Sequence, residues 1–186
     1  MIIRSAVKED AAVAARLLYD ALHDVAHQLT GQDGEEEAVS DLEQFFTEEE
    51  GRLSYHQALI SEIEGKVAGI IVSYAGDEAE RLDRPMVERL RKMKNDPTIS
   101  LDKEADEDEF YLDTLSVSPL YKGKGVGSAL IHAAEEQGKK RGYNKSALAV
   151  LTTNKRAYSL YLRIGYEVDK EIIINGNVYY HMVKHL

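Results

Sequence analysis

Three glycines alternate through KGKGVGS, Lys122–Ser128, between an apolar run and a helix-forming one. Glycine lets the backbone approach a ligand closely and adopt φ > 0 at no steric cost. A helix opening just beyond the turn offers unpaired N–H groups and a partial positive charge, which together suit phosphate oxygens. Lys122 and Lys124 add charge. The chemistry supported is a grip on a pyrophosphate-bearing cofactor. Two phosphate motifs fail on spacing. A P-loop needs GxxxxGK[ST], and no glycine here precedes Lys-Ser or Lys-Thr. A dinucleotide turn needs GxGxxG, but the third glycine comes one residue early, with Ser128 in its place. The acidic residue expected about twenty positions on is missing from RGYNKSA.

A second constellation is His23-Asp-Val-Ala-His27, close to the HExxH helix of zinc hydrolases. Asp24 is one methylene shorter than the usual Glu, and no third ligand is evident. Against the stripe Leu18, Leu22, Val25 and Leu29, both histidines fall towards the polar side. The expectation is a solvated or acceptor-lining pair, and no metal.

The elements that must position these residues follow from periodicity. Met1–Ala6 reads as a strand, followed by one helix ending near Thr30-Gly31. A second helix, about Glu35 to Glu49, puts Ala38, Leu42, Phe45 and Phe46 on one face. YHQALISEIEGKVAGIIVSYA reads as a hairpin turning at Glu64-Gly65. Asp77–Glu109 breaks the rhythm and reads as an insertion or lid, or a disordered loop. Within it, Arg81–Lys94 forms a charged helix carrying Leu82, Val87 and Leu90, and DKEADEDE (102–109) is a solvated acidic run. FYLDTLSV (110–117) is a strand, and the glycine turn opens a helix to about Arg141, with Gly142 beyond its end. SALAVLT is a buried strand. Asn154 caps a helix through Ile164 that Gly165 terminates. EIIINGNVYYHMV is a hairpin with a type I′ turn at Asn175-Gly176. The order gives one domain over residues 1–186 with one mixed α/β sheet.

Composition narrows the class. Apolar residues make up 44 % of the 186, enough for a buried core. Cysteine is absent, which excludes disulfides, thiolate metal sites and a cysteine nucleophile. The net charge of −10 argues against a nucleic-acid partner and would tolerate a cationic small molecule. MIIRSAVKED is no signal peptide, and no apolar run approaches the ~18 residues that span a bilayer. A soluble, cytoplasmic protein is the expectation.

KGKGVG closely resembles the [Arg/Gln]-x-x-Gly-x-[Gly/Ala] signature of the GNAT superfamily of acetyl-CoA-dependent N-acetyltransferases, with Lys122 where Arg or Gln is usual. FYLDTLSVSPLY resembles that family's fourth strand, and SALAVLTTNKRAYSLYLRIGY its fifth strand and following helix. Asn154, Tyr161 and Gly165 fall at the family's Asn-x6-Tyr-x3-Gly spacing. The specific part covers Phe110–Tyr166. The resemblance implies a mostly antiparallel central sheet flanked by helices, with the acidic insertion between the third and fourth strands. It implies acetyl-CoA as co-substrate, its pyrophosphate held by backbone amides from Lys122 through Gly123, Lys124, Gly125, Val126 and Gly127 to Ser128. Leu115 and Val117 would pair through their main chains with the pantetheine arm, and the Leu115 N–H would polarise the thioester carbonyl. Asn154 would bond the pantetheine, and Tyr161 would face the sulfur. Dimer formation is common in the family but has no separate signal here.

The chemistry this implies is direct transfer to a primary amine in a ternary complex. Freeing an amine of pKa ~10.4 from its proton costs about 4–5 kcal/mol at neutral pH. Asp113 is the leading candidate base and Glu109 the second. Protonation of the departing thiolate by a tyrosine of ordinary pKa is uphill by only about 2 kcal/mol, so Tyr161 suits the general acid. His23, His27, Glu35–Glu37 and DKEADEDE point to a cationic acceptor such as a polyamine, an amino sugar or a lysine-like amine. The alternative is a non-catalytic acyl-CoA-binding or regulatory module on the same fold.

Overall fold

The computed structural model describes residues 1–186 and orders them as β1 (Ile2–Ser5), α1 (Ala11–Leu22), α2 (Asp24–Thr30), α3 (Glu35–Thr47), β2 (Ala58–Ile63), β3 (Lys66–Ala75), α4 (Ala79–Lys94), β4 (Phe110–Val117), α5 (Val126–Lys140), β5 (Lys145–Leu151), α6 (Lys155–Arg163), β6 (Glu167–Ile174) and β7 (Asn177–His185). The strands form one sheet in the order β1-β2-β3-β4-β5-β7-β6. Every neighbouring pair is antiparallel except β4 and β5.

Side chains alternate across a strand, so successive residues of β2 and β3 feed opposite layers. Ile60, Ile70 and Val72 pack with Leu18, Leu29, Leu42 and Phe46 under α1–α3, joined by Met86 and Leu90 of α4. Leu59 and Ile71 pack with Val126, Leu130 and Ile131 of α5 on the other face, where Tyr161 of α6 and Ile164 just beyond it also lie. Both hairpin turns expected from sequence are present, with positive φ at Glu64 and Gly65 and at Asn175 and Gly176. No helix is long and apolar enough to cross a membrane.

Three local expectations are corrected. The helix expected to run unbroken to Thr30 divides at His23, whose φ of 47° and ψ of −117° lie outside any helix. That break re-aims α2 so that Ala26 and Leu29 reach the core, and it denies His23 and His27 a shared helical face. The acidic run 102–109 is not wholly solvated, because Glu104 turns into an ion-pair network and Glu109 is completely buried. On α4 it is Met86, not Val87, that joins Leu82 and Leu90 in the interior. Residues 95–109 contain no helix or strand, yet Ile99, Leu101 and Ala105 pack against the core.

Close packing of α5 on the sheet depends on Gly69 of β3. A Cβ there would lie 2.8 Å from the Ser116 carbonyl oxygen and 3.0 Å from Val126 Cγ1. Gly69→Ala is expected to destabilise the fold by about 1–3 kcal/mol through overpacking. Urea denaturation measures this, and an unchanged midpoint would contradict the packing described.

Candidate functional site

β4 and β5 pair only from Phe110↔Ser146 to Leu112↔Leu148, although β5 continues against β7 to Leu151. The strands separate at a bulge. Val72 faces Thr114 while Ser73 faces Leu112, leaving Asp113 as an extra residue with no partner on β3. Beyond it β4 is held on one side only. The Ser118 N–H bonds to Ala68 on β3, so by antiparallel alternation Ser116 also faces β3. Leu115 and Val117 therefore turn their N–H and C=O groups into the gap. That is the edge an extended ligand needs in order to add as a strand.

The glycine turn stands at the mouth of this gap. Gly123 and Gly125 both have φ of 78°, with open space where a Cβ would project. The amides of Gly123, Gly125, Val126, Gly127 and Ser128 find no acceptor in the chain. Gly127 lies against the Leu115 and Val117 side chains, 3.7 and 3.6 Å from where its Cβ would be. Converging free N–H groups at the N-terminus of a fifteen-residue helix match a pyrophosphate. Lys122 and Lys124 are exposed beside it, and Lys124 rests over the Tyr121 ring. The residues present fit the phosphate and pantetheine portions of a coenzyme A.

Across the gap, Asn154 accepts the Ala157 N–H at 3.1 Å as the cap of α6, leaving its side-chain NH2 unbonded. Tyr161 is half-buried, packed edge-on against Tyr166, and desolvation alone pushes its phenol up to about 12. It therefore stays protonated at neutral pH, as a hydrogen-bond donor must.

Asp113 does not lie free. Arg52, 2 % exposed, donates from Nε to Asp113 at 2.7 Å, from Nη2 to Glu104 at 2.6 Å and from Nη1 to Asp83 at 3.4 Å. The other Asp113 oxygen accepts the Thr114 hydroxyl at 2.9 Å, and the Tyr111 hydroxyl donates to Glu104 at 2.9 Å. Burial works against the guanidinium charge, but the carboxylates outweigh it and hold Arg52 protonated far above its ordinary range. Burial also raises Asp83 and Glu104 above the usual carboxylate values, against the pull of Arg52. Arg52, Asp83 and Glu104 line a cavity of about 570 Å³ between α4, the end of β3 and residues 100–107.

The other candidates lie elsewhere. Glu109 is sealed in the interior and bonds His181 of β7 at 2.8 Å. His23 is exposed. His27 spends both ring nitrogens, one on the Tyr19 hydroxyl at 3.1 Å and one on the Gln32 carbonyl at 2.8 Å.

The Acetyltransferase (GNAT) family model matches residues 18–166, spanning this gap, the turn and α6. The chain belongs to the GNAT acetyltransferase family. Acetyl-CoA is the co-substrate of that family. Two solved structures agree over the whole chain. A crystal structure of an acetyltransferase is 31 % identical, with a TM-score of 0.81, covering 100 % of this chain and 99 % of that one. The N-acetyltransferase from Staphylococcus aureus Mu50 is 27 % identical, with a TM-score of 0.83, covering 98 % and 100 %. Among curated proteins, a thialysine N-epsilon-acetyltransferase from Bos taurus is 42 % identical over 55 residues, 30 % of this chain. The matched stretch spans only 32 % of that relative's length.

Arg52, Asp83 and Tyr111 carried no sequence signal, and Glu104 stood out only as part of the acidic run 102–109. Arg52 stands in an unremarkable loop, and its partners lie 31, 52 and 61 residues away. Removing one partner of a buried ion pair costs about 3–5 kcal/mol, and Arg52→Met is expected to lose that much stability at pH 7. The orphaned carboxylates would have folded-state pKa values above their unfolded ones. Their protonated forms would then be favoured in the fold, and the deficit would shrink as pH falls towards ~4. Denaturation of both proteins at several pH values checks this, and a deficit constant with pH would contradict it.

Proposed function

We propose that this chain is an N-acetyltransferase that moves an acetyl group from acetyl-CoA directly to a primary amine on a cationic acceptor. The observation that carries it is the set of unpaired amides at Gly123 and Gly125–Ser128, set at the mouth of the gap where Leu115 and Val117 present their free main-chain edge. Bound there, acetyl-CoA supplies an activated acyl group as a thioester. The chain's own residues do the rest. The turn amides hold the pyrophosphate, the main chain of Leu115 and Val117 aligns the pantetheine, and the Asn154 side-chain NH2 donates to it. The Leu115 N–H, fixed in the gap, stabilises negative charge as it develops on the carbonyl oxygen.

Tyr161 serves the leaving sulfur. With its phenol at about 12 against a thiol near 8.5, full proton transfer is uphill by about 5 kcal/mol. Hydrogen-bond donation as the sulfur gains charge is the reading this favours, with the proton transferred late.

The acceptor reading rests on the cavity beside Arg52. Its lining carries seven carboxylates against four cationic side chains. Asp83 is the least committed of the carboxylates around Arg52, with one weak contact at 3.4 Å. A second ammonium of a diamine, or a lysine-like charge, would offset that surplus. The name of the Bos taurus relative, a thialysine N-epsilon-acetyltransferase, supports an amine on a cationic side chain.

Asp113 has two readings with opposite marks. As base it would give the acidic limb of the kcat/KM profile, and Asp113→Asn would abolish that limb. As anchor of the bulge it would cost stability on substitution and leave the profile's shape alone. Engagement of both its oxygens favours the anchor. Glu109, sealed beside His181, has no open path to an acceptor.

A panel of diamines, lysine-like, neutral and acidic amines, read by thiol release from acetyl-CoA, tests the proposal. Cationic amines are expected to lead by roughly tenfold in kcat/KM, about 1.4 kcal/mol, and Asp83→Asn to raise their KM. Preference for neutral or acidic amines would end the acceptor reading. Cofactor binding without transfer to any amine would support the non-catalytic module instead. Tyr161→Phe is expected to lower kcat by about 10²-fold, the smaller end of general-acid effects, with little change in cofactor KM. Unaltered turnover would remove Tyr161 from the mechanism.

A further inference from the structure

On the sheet's far side from the glycine turn, His181 of β7 and Glu109 are both 0 % exposed and lie side by side. His181 Nε2 is 2.8 Å from Glu109 Oε1. With a carboxylate oxygen of Asp106, these groups place ligand-competent atoms all within 4.8 Å of one another. Glu109 Oε2 is buried with no hydrogen-bond partner, and Lys145 Nζ comes no nearer to it than 3.6 Å. An orphaned buried carboxylate oxygen is rare and costly, and it calls for a partner.

Charge points the same way. Asp106, Glu109 and Asp169 face the imidazole, with Lys170 2.6 Å from Asp106 and Lys145 3.6 Å from Glu109 as the ammonium groups beside them. Three carboxylates against two ammoniums, one of them shared with the exposed Asp108, leave a negative surplus that a cation would offset. The ring is also oriented as a ligand would be. Nδ1 faces Asp169 Oδ2 at 3.3 Å, the carboxylate–imidazole arrangement that fixes metal-binding histidines and leaves Nε2 to bind. Ligands at ~2.0–2.2 Å from a shared ion sit about 3 Å apart, close to the observed Nε2–Oε1 separation. Lys170 occupies only Oδ2 of Asp106, leaving Oδ1 free.

We propose that Asp106, Glu109 and His181 form a site for one divalent transition-metal ion, tying residues 102–109 to β7. One imidazole and two carboxylates suit Zn²⁺ or Mn²⁺, whereas Mg²⁺ and Ca²⁺ call for an all-oxygen shell. Glu104 lies on the segment so tied, so the ion fixes one wall of the cavity beside Arg52 without touching the reacting groups. The site stands on its own geometry and does not depend on the proposed acetyl transfer.

Calorimetric titration of chelator-stripped, desalted protein with Zn²⁺ and with Mn²⁺ tests it, paired with thermal denaturation. The expected result is one ion per chain for at least one of the two, with a raised Tm, and no binding of Mg²⁺ at the same concentration. His181→Ala and Asp106→Asn should each weaken binding by ~10–100-fold or more, while His132→Ala, on the exposed face of α5, leaves it unchanged. Asp106 is partly exposed, so its variant stays informative if the His181 variant fails to fold. The inference is overturned if neither ion binds wild type or shifts its Tm. It is also overturned if Asp106→Asn binds as wild type does. Either result would leave the His181–Glu109 contact a hydrogen bond and nothing more.

Discussion

The ion pair between Arg52 and Asp113 sits at the one place where the sheet stops being continuous. Asp113 is the extra residue of the β4 bulge, and β4 leaves β5 immediately after Leu112. Without that separation the edge of β4 would be spent on β5, and Leu115 and Val117 would have no main-chain groups to offer. A bulge leaves its extra residue unpaired within the ladder, free to take a partner from outside it. Here a buried guanidinium supplies the outside partner, and the same guanidinium reaches Glu104 and Asp83 in the cavity. The gap beside β4 and the acidic cavity thus share one buried cation.

Buried ion pairs add little net stability relative to a well-packed apolar core, because desolvation offsets attraction. Their value lies in geometry. Arg52 cannot move without leaving three carboxylates short of a partner, so the bulge, residue 104 and α4 hold fixed positions relative to one another. Charge is also segregated across the molecule. The lining of the cavity beside Arg52 carries more carboxylates than cations, while Lys122, Lys124 and the N-terminus of α5 make an anion-friendly corner. Those two environments suit the two ends of the proposed reaction, a phosphate-bearing donor and an amine acceptor.

Features that rest on contiguous residues were legible in the sequence. Gly123 and Gly125 take the positive φ that the alternation of glycines implied, and Asn154 caps α6 as its residue type and position required. The strand 110–117, the helix beyond the turn and both hairpins followed from local periodicity and turn chemistry. What failed was set by partners far along the chain. Nothing in HDVAH announces that His23 will leave the helix, because the gain is the packing of Ala26 and Leu29 against strands still to come. An acidic run such as DKEADEDE reads as solvated unless one knows that Arg52 and His181 wait for Glu104 and Glu109. Periodicity reports a face, and it cannot report which charge that face will meet.

The amide cradle is the centre of this account, and the most direct measurement is of those amides themselves. In a ¹⁵N-resolved titration with acetyl-CoA, the backbone resonances of Gly123, Gly125, Val126, Gly127 and Ser128 should shift, together with Leu115 and Val117 across the gap. Amides of α4 should move little. Shifts confined to α4 and residues 100–107, with the turn silent, would place the cofactor in the wrong part of the molecule and contradict the account.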